Sequence, residues 1–301
     1  MSAIPAMRAR AEHPLRRFLA AYGESRLALA AAGVLLLILL AALLAPFLAP
    51  QNPYDLAQID IMDARQPPGA SAFDGHISYW LGTDDQGRDM LSAILYGLRV
   101  SMLVGVASTL LALAIGLTLG LIAGFFGGKA DAAVMRLADL QLSFPAILIA
   151  LILLALLGKG TGKIIAALVA VQWAYYARTT RGAAMVERNK EYIDAARLLG
   201  LSRASILFRH LLPNCLPPLI VVATLQIAAA ISLEATLSFL GVGLPVTEPS
   251  LGLLIANGFQ YILTGKYWIS FFPGLALLAT IVAINLVADR LRDVLNPRGE
   301  S

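Results

Sequence analysis

Long apolar runs recur along this chain, and polar segments separate them. Each run approaches the ~20 residues that a helix needs to cross the hydrocarbon of a bilayer. Backbone polar groups find no water there, so a helix is the simplest structure for such a run. The pattern predicts an all-α polytopic membrane protein with about six transmembrane helices. The predicted spans cover residues 27–49, 101–126, 140–157, 164–177, 216–240 and 268–288.

Composition and charge agree with that class and predict its orientation. Of 301 residues, 58% are hydrophobic and 14% are charged, far from the balance of a soluble domain. The first run is too long for the core of a signal peptide and is interpreted as an uncleaved span. Basic residues precede it, follow the second and fourth runs and close the chain, which predicts that both termini are cytoplasmic. The predicted parts are a cytoplasmic basic tail (1–26), a first transmembrane helix (27–49), an extracytoplasmic loop (50–98), a core of five helices (99–290) that contains a cytoplasmic loop (182–213), and a cytoplasmic tail (291–301).

Catalytic chemistry is not indicated. The single cysteine and the three scattered histidines show no metal-ligand spacing. Residues 158–163 (GKGTGK) resemble a phosphate-binding loop, but Ile164 stands where Ser or Thr would bind magnesium, so a short turn is the favoured interpretation. The net charge of +4 follows topology and forms no nucleic-acid footprint. We therefore expect no cofactor, metal, nucleic acid or nucleotide site on this chain.

The polar segment 50–98 is the longest connection in the chain. It carries seven aspartates and several prolines, and it is either a docking surface for an extracytoplasmic partner or a solvated linker. Its part 81–89 (LGTDDQGRD) has Gly and Asp turn signals that lead into an apolar helical pattern. This predicts a short interfacial helix that enters the second span.

Three glycines mark one face of the second span. Gly116, Gly120 and Gly124 recur at four-residue spacing, and small residues in such a row let another helix backbone approach closely. Packing within the chain is the favoured interpretation, and a contact in a two-subunit pore is the alternative.

Polar side chains inside the spans are candidates for a solute pathway. Gln172, Gln226, Glu234 and Asn285 lie in apolar runs, where isolated polar groups are costly and tend to face the bundle interior. Glu234 is the most costly of the four, so it is expected to be paired, protonated or in contact with water. Its role is left open between a structural partner and a pathway residue.

The segment 191–213 is the one substantial charged island in the second half of the chain. It predicts two short helical pieces, with Gly200 as a helix stop and Ser202 as an N-cap for the second piece. A helix on the membrane surface would also fit, but the acidic Glu191 and Asp194 favour a protein partner over an anionic lipid surface.

These residues resemble the EAA loop of binding-protein-dependent ABC importer permeases. Asp194-Ala195-Ala196, Gly200 four positions later and His210-Leu211-Leu212-Pro213 reproduce its spacing, with Asp194 for the family's Glu and His210 for its Ile. The resemblance implies a type I ABC importer permease fold and a loop that binds an ATPase. The residues assigned to this coupling role are Glu191, Asp194, Ala195, Ala196, Arg197, Gly200, Ser202, Arg203, His210, Leu212 and Pro213.

Three further stretches resemble the C-type permeases of dipeptide, oligopeptide and nickel importers. They are residues 81–89, residues 237–243 (LSFLGVG) and the ending from Asn285 to Pro297. The resemblance implies a heterodimer with a sister permease, two ATPases that hold ATP and Mg, an extracytoplasmic binding protein and a bacterial inner membrane. Peptide is the expected solute, and nickel complexes, glutathione or opines are alternatives. A secondary transporter is a more distant alternative, since no internal repeat is detected.

Overall fold

The computed structural model describes residues 14–295, in which helices dominate. One small antiparallel hairpin pairs β1 (Ala70–Ser71) with β2 (Ser78–Tyr79). Short 3₁₀ turns occupy Leu56–Gln58, Ile61–Asp63 and Ile262–Thr264, and a π-helical turn, Ile206–Leu211, joins α9 to α10. The helices are α1 (Pro14–Gly23), α2 (Arg26–Leu43), α3 (Ala45–Leu48), α4 (Met90–Phe126), α5 (Gly128–Leu142), α6 (Ala146–Leu157), α7 (Thr161–Glu187), α8 (Glu191–Leu198), α9 (Arg203–Ser205), α10 (Leu212–Phe239), α11 (Leu251–Phe259) and α12 (Trp268–Leu295).

Within residues 14–295, four helical segments are long and apolar enough to cross a membrane. They are α2, α4, the continuous helix Arg203–Phe239 and α12, and the bent pair of α5 and α6 makes a fifth if it is one span. The predicted fourth run lies in α7, which does not qualify by this measure. The reason is that α7 is amphipathic, and its apolar residues Ile164, Leu168 and Val171 are buried against other helices.

The predicted third run, 140–157, is not one straight helix. The chain bends by 90° between α5 and α6. Proline disfavours the helical region for the residue before it and has no amide hydrogen for the helical ladder. Pro145 is extended, with ψ of 128°, and α6 begins immediately after it. A predicted span has therefore become two helices.

Two other boundaries differ from the sequence-based prediction. The expected interfacial helix before the second span is not separate, because α4 runs without a break from Met90 to Phe126, capped by Asp89. The predicted tail 291–301 begins inside α12, which continues to Leu295. Asn296 and Pro297 of the C-terminal motif and the first 13 residues of the basic tail lie outside the described residues.

The largest apolar core lies where four helices meet. It joins Val104 of α4, Leu154 of α6, Leu168 of α7 and Leu237 of α10. Beside this core, a salt bridge joins α7 to α5. The Arg181 guanidinium donates to both carboxylate oxygens of Asp131, at 2.5 and 2.7 Å. Part of the polar face of α7 is thus covered by α5.

The glycine face of α4 lies directly against α7. A Cβ atom on Gly116 would be 2.5 Å from the Trp173 carbonyl oxygen, and one on Gly120 would be 2.5 Å from the Ala177 carbonyl oxygen. A Cβ on Gly124 would be 2.7 Å from the Ala184 methyl group. These separations are shorter than any van der Waals contact, so the absence of side chains is what lets the two backbones meet within the chain.

We predict that Gly120→Ala destabilises the protein. Alanine is normally better than glycine in a helix by about 1 kcal/mol, but here the added methyl overpacks the α4–α7 contact, at a cost of about 1–3 kcal/mol. The melting temperature of the purified protein in detergent should fall. Gly33→Ala is the matched control, because a Cβ on Gly33 of α2 meets nothing within 4 Å. A Gly120→Ala protein that melts at or above the wild-type temperature would contradict the prediction.

Candidate functional site

The segment 191–213 begins with a short helix, α8, that packs against the protein on one side and is exposed on the other. On its inner side, Ile193 and Ala196 of α8 are buried in a cluster with Leu121, Ile206 and Cys215. This cluster joins α8 to the last turns of α4 and to the start of the long helix that becomes α10. Because α4 rises about 1.5 Å per residue over its 37 residues, α8 lies roughly 50 Å from the 50–89 loop.

Gly200 and Ser202 make the turn after α8. Gly200 is left-handed, with φ of 71°, and it lies in a Schellman arrangement. The Gly200 amide donates to the Arg197 carbonyl at 3.0 Å, and the Leu201 amide donates to the Ala196 carbonyl at 3.2 Å. Ser202 then caps the next helix by accepting the Ser205 amide hydrogen at 3.2 Å. The predicted helix stop and the predicted N-cap are both present.

The outer side of α8 presents apolar surface to solvent. Leu198 and Leu199 are 90% and 79% exposed, and Phe208 is 63% exposed. An exposed apolar patch of this kind, beside the exposed ion pair of Asp194 with Arg197 at 3.0 Å, is typical of a surface that a partner covers.

The predicted coupling residues are distributed over this surface. Ala196 is buried, His210 and Leu212 are half-buried, and the remaining ones are exposed. The exposed members are Glu191, Asp194, Ala195, Arg197, Gly200, Ser202, Arg203 and Pro213. Their role in coupling stays a prediction.

Polar contacts fix α8 to the end of α7. Glu187 accepts hydrogen bonds from the Lys190 ammonium at 2.6 Å and the Tyr192 hydroxyl at 2.7 Å. Asn214 then donates to the Tyr192 oxygen at 3.3 Å and to the His210 carbonyl at 2.7 Å. Burial, together with the hydrogen bond to Glu187, raises the pKa of Tyr192 to about 12. The phenol therefore stays a donor at physiological pH, and α7, α8 and α10 are joined.

Two of the four predicted pathway residues meet across a cavity. Gln172 of α7 donates through Nε2 to the backbone carbonyl of Gln226 on α10 at 3.1 Å. Both side chains line an open cavity of about 510 Å³ between α6, α7 and α10, with Tyr175, Ser232 and Thr236 also in its wall. Asn285 lies half-buried on α12 and is not part of this wall. A pathway role for these residues stays a prediction.

Glu234 is fully buried and satisfied by hydroxyl groups. Its carboxylate oxygens accept from Ser101 of α4 at 3.0 Å and from Ser238, one turn later, at 2.8 Å. The side chain is 0% exposed, so it joins α4 to α10 rather than facing the 510 Å³ cavity. Of the two roles that the sequence left open, the structural one fits this geometry.

Sequence reasoning missed the buried charge network in the 50–89 loop. Arg88 and Asp84 are 1% and 0% exposed, and Arg88 Nε lies 2.6 Å from Asp84 Oδ2. Arg88 also donates to the Val246 carbonyl at 3.4 Å, and the Trp268 indole donates to the Thr83 carbonyl at 3.1 Å. The loop is thus attached to the α10–α11 connection and to α12, and a solvated linker does not fit.

The signal for this network was the motif at 81–89 itself. Its glycines make the predicted turns, with φ of 79° at Gly82 and 85° at Gly87. The turn signals do not indicate that Asp84 and Arg88 are also buried as an ion pair. Asp89 accepts the Ser92 amide and hydroxyl at 2.8 and 2.6 Å, and burial raises the pKa of its carboxyl above the ordinary value. Within residues 14–295, no three His, Cys, Asp or Glu side chains lie close enough to hold a metal ion.

The fold and these features define a multi-pass helical membrane protein with a largely apolar cavity and an exposed helix at one end. The chain belongs to the family described as the binding-protein-dependent transport system inner membrane component, which matches residues 116–300. Residues 14–68 match the N-terminal TM domain of oligopeptide transport permease C. The chain is therefore a membrane permease subunit of an ABC transporter, as the resemblance in the sequence implied.

Individual relatives are similar over nearly the whole chain. The di/tripeptide transport system permease protein DppC of Pseudomonas aeruginosa is 38% identical over 95% of this chain and 92% of its own length. The probable D,D-dipeptide permease protein DdpC of Escherichia coli is 38% identical over 91% and 88%. The oligopeptide permease protein OppC of Bacillus subtilis is 35% identical over 92% and 87%.

A solved transporter has the same fold. A chain of the inward-facing MetNI methionine ABC transporter matches with a TM-score of 0.56 at 22% identity, over 68% of this chain and 97% of that chain. A second crystal form of MetNI gives a TM-score of 0.55 at 21% identity. Identity at this level shows the fold alone, and the fold is that of a type I importer permease.

We predict that Arg88→Met destabilises the 50–89 loop strongly. Removing one partner of a buried ion pair leaves the other charge uncompensated, at a cost of about 3–5 kcal/mol. Limited proteolysis of the loop should become much faster, and the melting temperature should fall.

Two controls isolate the ion pair. Arg99→Met removes an exposed arginine of the first turns of α4, close to Arg88 in the sequence, and should change neither measurement. Asp84→Asn combined with Arg88→Met removes both charges and should recover part of the loss, because neither side is left with an unpaired charge. Equal proteolysis rates for the Arg88 and Arg99 variants would contradict the assignment.

Proposed function

We propose that this chain is a transmembrane permease subunit of an ATP-driven, binding-protein-dependent importer of dipeptides or oligopeptides. The proposal rests on the exposed apolar side of α8. The sequence of this helix follows the family's coupling loop. Relatives named for di/tripeptide, D,D-dipeptide and oligopeptide transport support peptide as the solute.

The remaining machinery belongs to partners. A sister permease completes the translocation pathway, two ATPase subunits hold ATP and Mg, and a binding protein delivers peptide outside. This chain contributes no nucleotide site and no cofactor. Its place is the bacterial inner membrane, with α8 and both termini in the cytoplasm. The orientation is supported by charge, because Arg181, Arg188, Arg197 and Arg203 lie at or beside α8, whereas the opposite end carries the aspartates of the 50–89 loop.

Coupling follows from how α8 is attached. Closure of the ATPase dimer displaces α8, and α8 passes the motion to α7 through Glu187 and to α10 through the buried cluster around Ile193. These two helices also form walls of the 510 Å³ cavity. ATP changes the accessibility of the pathway only if its bound state favours one arrangement of α8, so the attachment must be stiff enough to transmit that bias.

We predict that Gly200→Val uncouples transport from ATP hydrolysis. Gly200 has space around it, so the variant acts only through its left-handed backbone, which costs a branched residue about 1–2 kcal/mol. That cost lowers the equilibrium constant for forming the correct turn about 5- to 30-fold. Uptake driven by ATP should fall accordingly, while the amount of chain inserted in the membrane stays normal.

Gly200→Asn is the matched control, since asparagine tolerates the left-handed region. It should retain most uptake and most co-purified ATPase. Uptake at the wild-type rate by Gly200→Val in cells would contradict the proposed role of the α8 turn.

A further inference from the structure

The wall of the 510 Å³ cavity contains an unused hydrogen-bond acceptor and an unused donor. Among the described residues, Gln172 Oε1 and Gln226 Nε2 are buried atoms without a hydrogen-bond partner. Gln172 is only 4% exposed, and its orientation is fixed because Nε2 already donates to the Gln226 carbonyl at 3.1 Å. Its free atom is therefore the carbonyl oxygen. The neighbouring helix α10 contributes the free amide N–H group.

The other polar side chains in the wall are already engaged or lie at its edge. The Ser232 hydroxyl donates to the Ala228 carbonyl, and the Thr236 hydroxyl donates to the Ser232 carbonyl, both at 2.8 Å. Tyr175 is 44% exposed and lies towards solvent. The remaining lining is apolar, and the described wall contains no charged side chain. Gln172 and Gln226 thus supply the buried polar atoms of this wall that have no hydrogen-bond partner among the described residues.

Hydrocarbon would be a poor occupant of such a cavity. An unpaired buried donor or acceptor costs about 1–3 kcal/mol, and lipid cannot satisfy either one. Both atoms have almost no accessible surface in this conformation, so an occupant reaches them only where α7 and α10 move apart. Such an occupant satisfies both atoms only if it presents one donor and one acceptor.

We propose that Gln172 and Gln226 form a subsite for the peptide bond of the solute, a specificity that rests on the proposed importer function. Each peptide group carries one N–H donor and one carbonyl acceptor. In the subsite, the solute N–H donates to Gln172 Oε1 and the solute carbonyl accepts from Gln226 Nε2. The apolar, uncharged wall does not discriminate between different side chains of the solute. The subsite therefore recognises peptides as a class and gives no counter-ion to a charged metal complex.

The test is ATP-driven uptake into proteoliposomes that contain the complete transporter, with the binding protein and a panel of di- and tripeptides. Each peptide is compared with a form methylated on the peptide nitrogen, which has no N–H to donate. Rates are expressed as variant over wild type for each peptide, so that the selectivity of the binding protein cancels. The variants are Gln172→Met and Gln226→Met, which keep side-chain length and remove the amide.

For ordinary peptides, each variant should lower uptake about 5- to 10-fold, the loss expected for one hydrogen bond. For N-methylated peptides the two variants should separate. Gln172→Met should have almost no further effect, because its partner is already gone, whereas Gln226→Met should keep its full effect. Gln260→Met, an exposed glutamine at the end of α11, is the matched control and should leave every rate unchanged.

Three results would overturn the subsite. One is unchanged uptake by Gln172→Met. Another is an equal loss for ordinary and N-methylated peptides, which would make Gln172 a packing residue. The third is a loss of uptake that a smaller amount of assembled complex fully explains. The amount of complex is measured as the ATPase subunit that co-purifies per permease. A wild-type transporter that hydrolyses ATP but imports no peptide would instead refute the proposed solute, and the subsite with it.

Discussion

The close contact between α4 and α7 is the constraint on which the rest of the structure depends. Along the face of Gly116, Gly120 and Gly124, α4 lies directly against the backbone of α7 at Trp173 and Ala177. Side chains there would force the two backbones apart. The same contact places the start of α8 beside the end of α4, so one helix pair sets the position of both the cavity wall and the exposed helix.

The two ends of α4 are stabilised by different means. At its start, buried charge attaches the 50–89 loop through Arg88 and Asp84 to the segments beside α10 and α12. At its end, apolar contacts around Leu121 hold α8, and Arg188 donates to the Gly124 carbonyl at 2.7 Å. A charge network is specific but tolerates little change, which suits a fixed end. At the α8 end, Leu198 and Leu199 are exposed, as is typical of a surface that binds a partner.

Prediction from the sequence was most successful where one residue dictates local geometry. Gly200 requires a left-handed turn and Ser202 favours an N-cap, and both appear as expected. Pro145 carried an equally local signal, yet the apolar run around it masked the bend. The merging of the expected interfacial helix into α4 was missed because turn residues before a helix do not show whether that helix later breaks.

The sequence by itself determined the class of the protein, because apolar runs of spanning length admit few structures besides helices. It also singled out the segment 191–213, whose charges stand out against those runs and whose coupling role stays a prediction. Only the tertiary structure decided which polar groups meet. Gln172 and Gln226 are 54 positions apart, and Arg88 and Val246 are 158 apart. A helix that is apolar on most sides does not show in its sequence which face packs against which neighbour. These hydrogen-bonded pairs are therefore decided by how the helices pack in the bundle.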